Sequence, residues 1–122
     1  METIMVVDDE AIVRRLVTRS LEKEGYAVLG ARCGSRGVMC FQEHPDEIEL
    51  VLTDVAMPNM SGPEMVDRLL QLKASIKVLF MTGCGVPVGL PSRRQQQFGV
   101  LLKPFTPAVL TRRVRECLDE SC

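Results

Sequence analysis

Short unbroken apolar runs alternate along this chain with stretches in which apolar residues recur every three or four positions. Ile4-Met5-Val6-Val7 is the first run. Apolar residues at successive positions suit a strand buried on both faces, as in a parallel sheet. The run stops at three acids, Asp8, Asp9 and Glu10. Ile12, Val13, Leu16, Val17 and Leu21 then fall at helical spacing, with Arg14, Arg15, Arg19 and Lys23 opposite, and Gly25 stands where such a helix would end. Residues 26–31 read as a second strand. Ser35 is placed to cap a short helix that Pro45 stops at His44. Residues 50–53 form a third apolar run, ending in Asp54. After the loop 55–60, Ser61 and Glu64 have capping-box spacing, and Met65, Val66, Leu69, Leu70 and Leu72 line a helix. A fourth strand over 77–81 leads into Thr82-Gly83. Gly85, Pro87, Gly89 and Pro91 oppose helix, so only a short helix around 92–97 is expected there. Residues 100–102 form a fifth strand running into Lys103-Pro104. Thr106 caps and Pro107 opens a last helix, whose buried stripe is Val109, Leu110, Val114, Cys117 and Leu118.

Strand and helix thus alternate five times. That order calls for a doubly wound α/β fold, a parallel sheet covered by helices on both faces with right-handed crossovers. The ligand site of such a sheet lies at the carboxyl ends of its strands.

Length and composition narrow the classes. The chain has 122 residues, which predicts one domain over 1–122. Apolar residues make up 46% and charged residues 25%, a balance that opposes disorder. No apolar run approaches the roughly 18 residues of a membrane span, so no membrane contact is expected. The N-terminus carries no signal-peptide pattern, which points to a cytoplasmic protein. The five cysteines (Cys33, Cys40, Cys84, Cys117 and Cys122) are odd in number and form no CxxC pair, so they read as reduced thiols. His44 reads as an exposed residue before Pro45.

Fifteen bases against sixteen acids leave a net charge of −1, which opposes direct nucleic-acid binding. The balance holds only in total. Residues 1–67 carry 13 acids and 6 bases, whereas residues 68–115 carry nine bases and no acid. Arg93, Arg94, Arg112, Arg113 and Arg115 lie in the basic segment. They make a candidate basic face for a protein partner, or solvated helix faces and nothing more.

The ends of the apolar runs carry the chemistry. Asp8 and Asp9 follow the first strand, Asp54 the third, Thr82 the fourth and Lys103 the fifth. Singly, the acids read as helix caps or turn residues and Lys103 as a solvated lysine. Parallel strands bring all five side chains to one sheet edge. Three converging carboxylates repel one another, and a hard cation relieves them; oxygen ligands alone point to Mg²⁺. Lys103 and Thr82 would donate to a tetrahedral anion beside that metal. A carboxylate in line with a phosphoryl group can be its nucleophile, and such transfer needs chiefly positioning and charge neutralisation.

Val6-Val7-Asp8-Asp9-Glu10, the run Leu52-Thr53-Asp54 through Ser61-Gly62, Met81-Thr82-Gly83 and Leu102-Lys103-Pro104-Phe105 resemble the motifs of CheY-like response-regulator receiver domains. The resemblance spans nearly the whole chain. It implies a flavodoxin-like (βα)5 sheet in strand order 2-1-3-4-5. It implies that Asp54 accepts a phosphoryl group from a phosphohistidine in a Mg²⁺-dependent reaction. Asp9 would bind Mg²⁺ directly, Asp8 chiefly through water, with Asp54 and the backbone carbonyl of Ala56 as further ligands. Thr82 and Lys103 would contact the phosphoryl oxygens, and Lys103-Pro104 would be a cis peptide. The partner implied is a histidine kinase or a histidine phosphotransfer domain, with a phosphorylation-dependent dimer as a further prospect. The chain departs from the family's pattern at Val100, where an aromatic switch residue is common, and over 84–97.

The resemblance implies a phosphoacceptor signalling module with intrinsic autophosphorylation and autodephosphorylation rather than an enzyme. The wording of the last motifs looks most like the receiver of a hybrid sensor histidine kinase; a stand-alone single-domain response regulator is the alternative. A haloacid-dehalogenase-like phosphohydrolase uses a similar residue set but needs a DxD motif after the first strand, where this chain has Asp8-Asp9-Glu10. A degenerate receiver serving only protein interaction would lack the intact acid set.

Overall fold

A computed structural model describes residues 2–83 and 98–119. The short helix expected at 92–97, together with Arg93, Arg94, Cys84 and Cys122, lies outside the described residues. The elements in chain order are β1 (Thr3–Val7), α1 (Ala11–Lys23), β2 (Ala27–Ala31), α2 (Gly34–Glu43), β3 (Ile48–Asp54), α3 (Gly62–Leu72), β4 (Lys77–Thr82), β5 (Phe98–Leu102) and α4 (Pro107–Asp119). The five strands form one sheet in the order β2-β1-β3-β4-β5, every neighbouring pair parallel. This is the doubly wound sheet expected from the alternating pattern.

The unbroken apolar runs are buried on both faces because successive side chains point to opposite sides of the sheet. Ile4, Val6, Leu50, Leu52, Leu79 and Met81 pack on one face with Val17 and Leu21 of α1 and Leu110 and Val114 of α4. Met5, Val7, Val51, Val78 and Phe80 pack on the other with Phe41 of α2 and Met65, Val66 and Leu69 of α3. Gly37 belongs in α2 for a packing reason: a Cβ there would lie 2.6 Å from the Met65 sulfur and 3.3 Å from Val7 Cγ2. The missing side chain lets α2 settle against α3 and β1.

Several local expectations change. Gly25 ends α1 at φ +94, and the Gly25 and Tyr26 N–H groups donate to the Glu22 and Leu21 carbonyls at 3.0 and 3.2 Å. This Schellman motif uses Tyr26, so β2 begins at Ala27 rather than Tyr26. Cys33, not Ser35, holds the N-cap position of α2, and no side chain caps that end. Ile12 and Leu16 of α1 are 72% and 61% exposed, so only part of the helical apolar stripe reaches the core. Glu10, not Asp8 or Asp9, holds the N-cap position of α1, whereas the caps of α3 and α4 are those the sequence predicts. Ser61 and Glu64 form a reciprocal capping box on α3, and Thr106 Oγ1 accepts from the Val109 N–H at 3.2 Å.

Candidate functional site

β1 and β3 are neighbours at the centre of the sheet, with Val7 opposite Thr53, so Asp8 and Asp54 follow side by side. Asp54 is in turn paired with Met81, one residue before Thr82 at the end of β4, and Thr82 is paired with Leu102, one residue before Lys103. Register alone therefore brings the acids, the threonine and the lysine to one edge. The Lys103 N–H donates to the Thr82 carbonyl at 2.9 Å, which ties the start of the Lys103-Pro104 turn to β4. The Lys103–Pro104 peptide is cis, as the resemblance implies.

Asp8, Asp9 and Asp54 each place a carboxylate oxygen within 4.8 Å of the others. Asp8 is fully buried, Asp54 is 8% exposed, and Asp9 faces solvent. Among the described residues one cation answers them: Lys103 Nζ stands 3.3 Å from Asp54 Oδ1 and 3.4 Å from Asp8 Oδ2. Burial pushes the Asp8 carboxyl above its usual range, against the pull of the Glu10 N–H and of Lys103. Burial alone would lower the Lys103 ammonium, but the two carboxylates outweigh it and hold it above its usual value. A buried carboxylate in excess of the available positive charge is the environment a hard divalent cation completes, so the donor set fits Mg²⁺.

Residues that the strand-end reading did not single out as site residues frame this edge. The Glu10 N–H donates to Asp8 Oδ1 at 2.9 Å, and Arg14 Nη1 donates to the Asp8 carbonyl at 2.7 Å. The buried Thr53 hydroxyl donates to the Asp54 carbonyl at 2.9 Å. A Cβ on Gly62 would collide with that same carbonyl, so only glycine lets α3 start against the loop after Asp54. Gly62 was visible within the motif; nothing in the sequence points to Arg14. Ala56 is exposed in the loop that follows β3.

The pattern of the response regulator receiver domain matches residues 4–115. The chain belongs to the response regulator receiver domain family. It is 33% identical over 121 residues to the sensor kinase CckA of Brucella abortus, covering 97% of this chain and 13% of that protein. It is 34% identical over 106 residues to the response regulator receiver protein CpdR of the same organism, covering 86% of this chain and 87% of that protein. Among solved structures it is similar to the receiver domain from the hybrid histidine kinase CckA, at TM-score 0.83 and 28% identity over 96% of this chain and 98% of that one. A receiver domain protein from Clostridium thermocellum superposes at TM-score 0.87 and 26% identity over 98% and 95% of the two chains. This receiver is thus a domain of two-component signalling, whose family function is to accept a phosphoryl group. Family members interact with histidine kinases or phosphotransfer proteins and bind Mg²⁺ through acidic residues.

The expected basic face fares differently. Arg113 Nη1 pairs with Glu116 at 3.1 Å, and Arg115 Nη2 pairs with Glu2 at 2.7 Å and Asp119 at 2.8 Å. Two of the five arginines of the expected face are therefore paired with nearby carboxylates. Arg112 is exposed and makes no ion pair among the described residues. No helix among the described residues is long and apolar enough to cross a membrane.

Proposed function

We propose that Asp54 is the phosphoacceptor of this receiver. Its carboxylate oxygen attacks the phosphorus of a phosphohistidine, the P–N bond breaks, and the imidazole leaves with the bonding pair. Asp8, Asp9 and Asp54, with the Ala56 carbonyl, would hold Mg²⁺, which neutralises charge on the transferring phosphoryl group. Lys103 pairs with the phosphoryl oxygens, and Thr82 donates to them from the end of β4. Water then attacks the acyl phosphate slowly, which returns the carboxylate and releases phosphate. The observation that carries this reading is the Lys103 ammonium held 3.3 Å from Asp54 and 3.4 Å from Asp8 at the sheet edge where three carboxylates meet.

The donor is a histidine kinase or a histidine phosphotransfer domain, and residues 1–122 act as one receiver domain. The setting we favour is a hybrid sensor histidine kinase, supported by the likeness to the CckA receiver. A stand-alone regulator is the second reading, supported by the match along 87% of CpdR. Arg112 is the one member of the expected basic set that is described and unpaired, so we give that face only a minor part in docking.

The test is incubation with acetyl phosphate in the presence of Mg²⁺. A mass gain of one phosphoryl group on Asp54, lost in Asp54→Asn and without Mg²⁺, supports the proposal. An adduct on another residue, or one that survives in Asp54→Asn, overturns it.

A further inference from the structure

A second cluster of charge borders the acceptor edge on the side of α1 and α2. Arg14 from α1, Gly30 and Ala31 at the end of β2, Arg32, and Arg36 in α2 line a hollow of about 340 Å³. Three arginines, Arg14 half-buried and Arg32 and Arg36 exposed, border this one hollow. None is within ion-pair distance of a carboxylate among the described residues, in contrast to Arg113 and Arg115. Among the described residues Arg14 donates to one partner, the Asp8 carbonyl, which engages one of its two terminal nitrogens.

The adjoining helix end sharpens the point. α2 runs for ten residues, and its N-terminus has neither a side-chain cap nor an acid in its first turn. Its first-turn N–H groups and its dipole favour an anion. The chain instead puts Arg36 in that first turn and Arg32 just before it, where cations are disfavoured. A bound anion would reverse the sign of that arrangement. Gly30 leaves the hollow open, since an ideal Cβ there would rest 3.7 Å from Arg14 Cδ.

We propose that this hollow binds a phosphate group as a site separate from Asp54. A carboxylate offers two oxygens to three guanidinium forks. A phosphate monoester offers three terminal oxygens and close to two negative charges, and arginine pairs with it in bidentate fashion. A shallow hollow of this size takes one compact anionic group, whereas a nucleic-acid backbone needs an extended basic stripe. Inorganic phosphate and the phosphate of a nucleotide share this chemistry.

The experiment is amide-resolved NMR titration of the whole chain in Mg²⁺-free buffer at constant ionic strength. Sodium phosphate, adenosine 5′-monophosphate and sodium succinate are the three probes. Saturable shifts centred on residues 14, 30–32 and 36, weakened about tenfold or more by R32Q/R36Q, support the site. Tighter binding of the nucleotide than of phosphate assigns a nucleotide as the source; binding of phosphate alone assigns free phosphate. The inference is overturned if those residues do not shift, if shifts centre on Asp54, Thr82 and Lys103, if succinate matches phosphate, or if R32Q/R36Q binds as the parent does. That variant leaves Asp8, Asp54 and Lys103 in place, so phosphorylation by acetyl phosphate reports on the acceptor independently.

Discussion

Lys103 Nζ lies 3.3 Å from Asp54 Oδ1, the closest approach of a cation to the proposed acceptor among the described residues. The same ammonium is 3.4 Å from Asp8 Oδ2, so one positive charge is divided between two buried carboxylates. In the resting protein Lys103 holds the acids together. If Asp54 takes the phosphoryl group as proposed, the same reach would place the ammonium beside its oxygens.

Lys103→Met should therefore slow formation of the Asp54 adduct with acetyl phosphate. Loss of one well-placed donor to a reacting anion typically costs 10²-fold or more. Here a metal would share the neutralisation, so a fall of about tenfold is expected, read by intact-protein mass spectrometry over time. An unchanged rate would remove Lys103 from the chemistry.

Asp8 supplies a pH-dependent prediction. Its carboxyl is raised by burial, so the folded protein binds that proton more tightly than the unfolded chain. The stability this contributes is complete at low pH and is lost as pH rises through the folded-state value. Asp8→Asn removes the charge but keeps an oxygen to accept from the Glu10 N–H. In the metal-free protein it should raise stability at pH 7 by about 1 kcal/mol, with a smaller gain near pH 4. Urea titrations with chelator at both pH values would show it. Added Mg²⁺ should stabilise the parent and have less effect on the variant.

The acid set, the threonine, the lysine and the sheet were legible because parallel topology converts sequence position into place. Each apolar run ends at one edge, so a polar residue just past a run is assigned to the site without knowledge of side-chain contacts. The exposure of Ile12 and Leu16 was not legible. Helical periodicity gives a stripe, but how much of the stripe is covered depends on where α4 lies across α1. The pairing of the arginines on the expected basic face was not legible for a related reason. A count of arginines along 68–115 ignores Glu2, at the other end of the chain, whose carboxylate meets Arg115 at 2.7 Å. Arg14 showed as one more basic residue on an amphipathic helix; its bond to the Asp8 carbonyl is a tertiary fact.

The turn behind Asp54 should be intolerant at one position and forgiving at the next. Ser61→Ala removes the hydroxyl that accepts from the Glu64 N–H and should cost about 1 kcal/mol. Gly62→Ala puts a methyl group into the Asp54 carbonyl, where the obstacle is backbone and cannot swing aside. It should cost more than Ser61→Ala, roughly 2 kcal/mol or more, and should also lower the yield of adduct. Equal stability of the two variants in urea would show that the loop gives way without strain.

Two leucines of one helix should respond to very different degrees to the same change. Leu21 is fully buried in the cluster that α1 and α4 make with the sheet, whereas Leu16 is 61% exposed. Truncating a buried leucine loses transfer free energy and leaves a cavity, so Leu21→Ala should cost about 2–5 kcal/mol. Leu16→Ala removes little buried surface and keeps a good helix former, so its cost should stay within about 0.5 kcal/mol. The pair separates what periodicity predicts from what packing delivers, since the sequence places both leucines on the same apolar stripe. Equal losses in urea unfolding would mean that Leu16 is covered in solution, and would place a further contact over the exposed side of α1.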